Sequence, residues 1–379
     1  MQAGKIILTL SICAILMGGV QTASAQIVYG QPASIKARMT YTNWSLEGEN
    51  GGKKSVNQLM IPVNGFLPLQ DNWELRYHAT SISGGVELDD GTNSNVAGLG
   101  DLRLMFNHSM SDDRFLFSLG LNLPTGKKEL NLGEEFNVMV LLSENYLSFP
   151  VRRMGEGMGV NLLLGGAASN GVSRLGGTIS YQYLGSYKPY EGLGDYDPGD
   201  MISISANGDT KKGNTVFSAS MTFSFFSTDK ANEQKLRKPS SQFEISTGIQ
   251  SHKSKTSFIG NIGLLLRGRL TSYDSNEEVF EQLRLYGNEF FVNTALVYHP
   301  DKTWSFTPRV QLRVIGNNEF EDIYKQGSSA IFGFGGDYDR GIGEGVDFNL
   351  GFTYFAGDAD GGKISLGGFQ ITGGLIAAF

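Results

Sequence analysis

Charged side chains recur at every second position in segments that are otherwise apolar and aromatic. Residues spaced by two share one face of an extended strand. On that face they can attract anionic solutes, as charged rings do in selective pores, or they can pair with nearby acids and stiffen the wall that carries them. The residue types alone do not decide between these two roles. The candidates are Glu74, Arg76, Asp101, Arg103, Arg267, Arg269, Arg309 and Arg313.

Motifs for catalysis or metal binding are missing from the sequence. The histidines, at 78, 108, 252 and 299, are scattered, and Cys13 is the only cysteine. There is no nucleophile elbow, paired-histidine motif or phosphate loop. A net charge of −7 without a basic block argues against a nucleic-acid surface. We predict that the chain is not an enzyme and holds no metal or cofactor.

The candidates lie in segments with strict two-residue alternation, which is typical of β-strands. From 304 to 314, Phe306, Val310 and Leu312 fall on one face, while Arg309 and Arg313 fall on the other. A soluble sandwich would bury the apolar face, and a membrane barrel would turn it toward lipid. Mid-strand arginines favour the barrel, because a wet lumen accepts them and a dry core does not. A mean hydropathy of −0.16 excludes a bundle of membrane-spanning helices.

The sequence predicts an all-β fold, a transmembrane antiparallel barrel of 16 strands, or 14 if segments 158–168 and 328–336 are loops. Short connections alternate with long ones, including 83–96 and 125–157, and 337–343 is predicted to be short. With the apolar face of each strand turned toward lipid, the lumen also receives Lys36, Arg38, His78 and Glu244. Glu74 and Arg76 can then pair with Asp101 and Arg103 across a hairpin. The predicted strands are 33–45, 55–67, 72–82, 97–108, 114–124, 158–168, 173–185, 200–208, 214–226, 240–250, 256–270, 288–299, 303–315, 328–336, 344–356 and 363–379.

The two ends of the sequence predict a bacterial outer-membrane protein. Residues 1–25 combine Lys5, an apolar run and an Ala-x-Ala site, which indicates a signal peptide cleaved after Ala25. Residues 26–379 then form one barrel domain in contact with outer-membrane lipid. The last segment alternates apolar residues up to Phe379, and this pattern resembles the signal read by the barrel-assembly machinery.

One segment, 134–147, is predicted to be helical inside the long connection 125–157. Its apolar residues include Phe136, Val140 and Leu147, and Glu134 and Glu135 suit a helix N-terminus. It is either a lid folded into the lumen or a helix packed on the barrel rim.

A Gly-x-Gly-Asp strand start at 98–101 is followed by a strand that ends Leu-Pro-Thr-Gly at 123–126. These motifs resemble outer-membrane transporters associated with the phenol meta-degradation pathway, which are distant relatives of long-chain fatty-acid transporters. The resemblance covers residues 97–126 and implies a transporter barrel in which Asp101 and Arg103 point into the lumen. The segment Gln26–Gly30 lacks the Asn-Pro-Ala start of the fatty-acid transporter plug, so that hatch mechanism is not carried over.

The predicted function is passive passage of small solutes, hydrophobic or aromatic ones among them, through a lumen narrowed by 125–157. Asp101 and Arg103 would position solute or hold the constriction, and the four later arginines would set charge preference. The alternatives are a general or anion-preferring porin and an adhesive barrel with a closed lumen.

Overall fold

The computed structural model describes residues 32–70, 72–111, 114–192, 194–301, 303–321 and 325–379. The predicted signal peptide, residues 1–25, lies outside this range.

In the described residues, sixteen antiparallel strands close into one barrel, as predicted. Strand β1 pairs with β16 from Ser34↔Ala378 to Gly48↔Ile364, so the sheet has no free edge. Both weak segments are strands, which removes the 14-strand alternative. The strands are β1 Ser34–Gly48, β2 Lys53–Gln70, β3 Trp73–Leu88, β4 in two parts, Asn93–Leu99 and Leu102–Met110, β5 Phe115–Leu123, β6 Gly159–Ser169, β7 Ser173–Leu184, β8 Met201–Lys212, β9 Thr215–Phe226, β10 Gln242–Lys253, β11 Thr256–Arg267, β12 Glu289–Tyr298, β13 Trp304–Ile315, β14 Ser329–Gly343, β15 Val346–Ala359 and β16 Ile364–Ala378.

Two predicted connections are wrong because strands continue through them. Segment 83–96 belongs mostly to β3 and β4, whose inward Val86 and Val96 are 7% and 1% exposed. The remaining turn is tight, with Gly91 at a φ of 79°. Segment 337–343 belongs to β14, where Asp337 pairs with Arg309 inside the barrel. A polar residue that faces the lumen can continue a strand, although it resembles a turn residue in sequence.

The outward face of the barrel is apolar and exposed. On β8, β9 and β11 its alternating residues include Ile202, Ile204, Phe223, Ile262 and Leu264, each more than two-fifths exposed. Burying such residues in lipid is favourable, and a charged residue near the midplane would cost about 2–4 kcal/mol. The protein is therefore a transmembrane barrel of the outer-membrane type.

The connection 124–158 folds back across the concave face. It carries helix α1, Glu134–Leu142, and a single 3₁₀ turn, Asn145–Leu147, so the predicted helix 134–147 is interrupted after Leu142. No helix in the described part of the chain is long and apolar enough to cross a membrane. We call residues 125–157 the inward loop.

At the opposite end from the short turns, three long connections build a second sheet of five short strands. The buried ion pair between Asp229 and Arg237 holds its centre, with 2.9 Å between Oδ2 and Nε. We call this second sheet the outer sheet. Its strands are Tyr196–Asp197, Asp229–Ala231, Gln234–Lys238, Leu270–Tyr273 and Val279–Leu283.

Candidate functional site

Strand β4 is interrupted at Gly100 and Asp101, and this break anchors both ends of the inward loop. Asp101 is 7% exposed. Its Oδ1 accepts the backbone N–H of Gly126 at 2.8 Å, and its Oδ2 accepts that of Glu156 at 2.7 Å and Asn122 Nδ2 at 2.9 Å. A Cβ at Gly126 would lie 2.5 Å from the carbonyl oxygen of Met154. The matched motif residues thus bring the two ends of the loop into close contact.

Helix α1 packs against inward-facing side chains of the barrel. Val138, Met139 and Leu142 are at most 1% exposed, and Leu142 contacts β3 at Gly84. The same apolar cluster receives residues from eight neighbouring strands, β1–β4 and β13–β16, which can meet only on the concave side. Of the predicted lid residues, Phe136 and Leu147 are in the cluster and Val140 packs against it. The helix is thus placed inside the barrel.

Arg313 holds the inward loop from the far wall. Its Nη1 donates to the carbonyl of Asn145 at 2.7 Å, its Nη2 donates to Asn145 Oδ1 at 3.2 Å, and it also contacts Ser148. Glu289 orients this guanidinium through both carboxylate oxygens, at 2.5 and 3.0 Å. On β2, Gln58 exchanges two hydrogen bonds with the backbone of Val151. The loop is therefore fixed at several points around the wall.

All four predicted arginines pair with acids. Arg267 and Arg313 share Glu289, and Arg309 lies 2.8 Å from Asp337. Arg269 lies beyond the end of β11, not on the barrel wall as predicted, and pairs with Glu319 at 2.9 Å. Gly268 leaves the barrel at this point, with its N–H donated to Ser241. On the wall, Asp337 therefore compensates Arg309, while Arg267 and Arg313 share the single charge of Glu289.

The predicted cross-hairpin pairing of Glu74 and Arg76 with Asp101 and Arg103 is wrong. The register places Arg76 opposite Met105 and His78 opposite Arg103. Glu74 pairs instead with Arg76 on its own strand, at 2.8 Å, and Arg103 pairs with Glu156 of the inward loop, at 3.1 Å. Because of the break in β4, Asp101 has no partner in the β3–β4 ladder. Its carboxylate instead accepts backbone N–H groups of the inward loop.

The remaining inward candidates are spread over the wall. His78 on β3 contacts Asn64 and Thr80, each at 2.7 Å. Lys36 and Arg38 lie on β1 and Glu244 on β10, in the same inward phase. In the described residues no group of histidines, cysteines and acids could hold a metal ion.

A buried polar chain links the break in β4 to the outer sheet, and sequence reasoning missed it. Glu156 bridges Arg103 and Arg153, and Arg153 donates to the Tyr187 hydroxyl at 3.0 Å. The Tyr187 ring stands edge-on to Tyr196, with centroids 5.6 Å apart.

The Tyr196 hydroxyl continues this chain by donating to Asp229 at 2.6 Å. Burial raises the pKa of both tyrosines, which keeps their hydroxyls protonated as donors. The tyrosines of segment 187–196 are the one feature of the sequence that points to this chain of polar contacts.

No protein-family model matches the chain, and no curated protein matches its sequence. Solved barrels are similar in form. A FadL homologue from Pseudomonas aeruginosa is 7% identical, with 92% of this chain and 90% of that chain covered and a TM-score of 0.44.

The CymD monoaromatic hydrocarbon channel is 11% identical, with 98% and 93% covered and a TM-score of 0.43. An anion-selective porin from Comamonas acidovorans is 11% identical, with 92% and 99% covered and a TM-score of 0.40. At these values the function must be argued from the residues of this chain.

Proposed function

We propose that the protein is an outer-membrane channel for small solutes and that the inward loop sets the width of its lumen. The observation that carries the proposal is the asymmetry of the inner wall. Helix α1 and the cluster cover β1–β4 and β13–β16, whereas β8–β10 present short hydroxyl side chains to the same interior. Ser205 bonds Thr222 there at 2.9 Å, and Ser220 bonds Ser246 at 2.8 Å, with the three serines only half-buried.

Short, mutually bonded hydroxyls support a polar path beside the loop. Such side chains occupy little volume, and a water or solute can take the remaining hydrogen bonds.

Apolar side chains near the other end of the lumen support passage of partly hydrophobic or aromatic solutes. Phe66 on β2 lies under the guanidinium of Arg76, 5.9 Å from ring centre to Cζ. Met105 faces Arg76 across the β3–β4 ladder and is 41% exposed. This wall offers a planar apolar solute both contact area and a cation–π surface.

The charge pairs weigh against a strong anion preference on this wall. Asp337 neutralises Arg309, and Glu289 offsets one of the two charges of Arg267 and Arg313. We therefore rank the anion-preferring porin second. Recognition of the last strand by the barrel-assembly machinery stays a prediction.

The test is conductance of the purified barrel in a planar bilayer, with and without residues 134–147. Replacing them by a short Gly–Ser linker keeps both anchors at Asp101. We expect a severalfold rise in single-channel conductance, because the linker cannot fill the space of α1. Replacing residues 274–278, the turn between two strands of the outer sheet, by a Gly–Ser linker is the control.

Unchanged conductance after the loop replacement would contradict the constriction. A wild-type barrel and a loop-replaced barrel that are both silent would instead support the closed adhesive barrel. Uptake of benzenesulfonate and of a sugar of similar mass into liposomes with and without the barrel then tests the solute class, because a bare bilayer excludes both.

A further inference from the structure

A small cavity lies where the two ends of the inward loop meet the outside connection 185–200. Its volume is about 30 Å³, which is room for about two water-sized groups. Its polar lining is basic and aromatic, and Leu130 and Pro189 give it an apolar side. The residues that matter are Lys127, Lys128, Arg152, Arg153, Tyr187 and Leu130.

The charge around this cavity is positive. Among the described lining residues there are four cationic side chains and no carboxylate. Acids outside the lining offset some of this charge: Glu135 pairs with Lys127, and Glu156 is shared between Arg153 and Arg103. Glu144 faces Arg152, whereas the exposed Lys128 makes no ion pair in the described residues. A low-dielectric pocket with surplus positive charge attracts an anion.

Arg153 supplies a second, independent observation. Its Nη1 donates to Tyr187 and its Nη2 pairs with Glu156, but its buried Nε has no hydrogen-bond partner in the described residues. A buried donor left unpaired costs about 1–3 kcal/mol. An acceptor oxygen within hydrogen-bond reach of this Nε would remove the cost.

We propose that this cavity binds the carboxylate of a small organic acid whose apolar body rests at Leu130 and Pro189. Two carboxylate oxygens match the available volume, whereas a tetrahedral phosphate, as on a lipid headgroup, is larger. One carboxylate oxygen can accept from the Nε–H of Arg153, whose two Nη atoms already contact Tyr187 and Glu156. The proposal concerns binding alone and does not require that the lumen conduct.

Calorimetric titration of the folded, full-length barrel in detergent at low ionic strength tests the site, with sodium benzoate as the probe. We expect benzoate to bind, and benzyl alcohol and inorganic phosphate to bind at least tenfold more weakly. Lys128→Gln should weaken benzoate about two- to fivefold, as expected for an exposed charge. Arg153→Lys keeps the charge but removes the Nε donor, and should weaken benzoate binding about tenfold or more.

Lys188→Gln is the matched control, because Lys188 is an exposed lysine next to Tyr187 that does not line the cavity. Its affinity should equal that of the wild type. Absence of benzoate binding, equal binding of benzyl alcohol or of phosphate, or equal losses in Lys128→Gln and Lys188→Gln would each overturn the proposal. A conducting barrel that fails these tests leaves the channel function standing, so the two failures are distinguishable.

Discussion

A single carboxylate, Asp101, joins both ends of the inward loop to the barrel. Replacing it by asparagine keeps its size but removes one acceptor oxygen and the charge, so one of three buried N–H donors loses its partner. Bonds to a charged group are worth about 1.5–3 kcal/mol each. For Asp101→Asn we expect noisier and larger currents in a planar bilayer, while the barrel melts as the wild type does.

Asp90→Asn is the control for this substitution, since asparagine can make the same bond to Thr92 N–H in that turn. If the current of Asp101→Asn has the amplitude and noise of the wild type, the position of the loop does not depend on this anchor.

Glu144 makes the seating of the inward loop sensitive to pH. Its carboxylate accepts from Gln326 Nε2 at 3.2 Å and faces Arg152 and Lys54, with Tyr146 beside it. Burial outweighs these partners and raises the pKa of Glu144 from 4.5 to about 7. Because this pKa is raised, the seated loop binds the proton more tightly, and its extra stability is lost as pH rises through 7.

Conductance should therefore increase from about pH 4.5 to about pH 7 and stay level above that range. In Glu144→Gln the side chain is neutral at every pH, so the increase should vanish. Glu129→Gln, an exposed acid of the same loop, should keep the wild-type profile. An unaltered pH profile in Glu144→Gln would rule out this group as the cause.

At the scale of elements, the outer sheet depends on one buried ion pair. Arg237 is 0% exposed, and its partner Asp229 also accepts from the Tyr196 hydroxyl and from Gly199 N–H. Arg237→Met would leave Asp229 buried without its cation, at a cost of about 3–5 kcal/mol. We expect faster proteinase K cleavage within 185–200 and 227–241 in folded protein, with the barrel intact.

The matched control is Lys235→Met, two residues away on the same strand, whose side chain is 45% exposed in its pair with Glu277. Equal cleavage rates for Arg237→Met and the wild type would mean that backbone pairing alone holds the sheet.

At the scale of the whole molecule, alternation alone predicts sixteen strands and their phase. It works in β15, where Phe348, Phe352 and Tyr354 face outward without interruption. It fails at 83–96 and 337–343, because inward polar residues and glycines resemble turns. It also misses the outer sheet, whose strands of two to five residues are too short to show a period.

The candidate site is less accessible from sequence for a related reason. The sequence indicates Asp101 through the motif at 98–101, although it predicts one unbroken strand over 97–108, and it indicates the helix by a change of the apolar pattern at 134–147. The partners of the arginines, and the chain from Glu156 to Asp229, depend on contacts between loops far apart in sequence. Spacing along one segment carries no information about such contacts.

The ladder between β1 and β16 has a consequence for how the barrel forms. Every other pair of neighbouring strands in the wall is consecutive in sequence and can form as a hairpin or across one connection. Strands β1 and β16 instead join residues more than 300 positions apart. Bringing such distant ends together costs about 5 kcal/mol of chain entropy, and most of that cost falls before any of its hydrogen bonds form. Strand β1 therefore keeps one edge unpaired until β16 pairs with it. Until the barrel closes, the growing sheet has two free edges, and each can pair with any other strand edge.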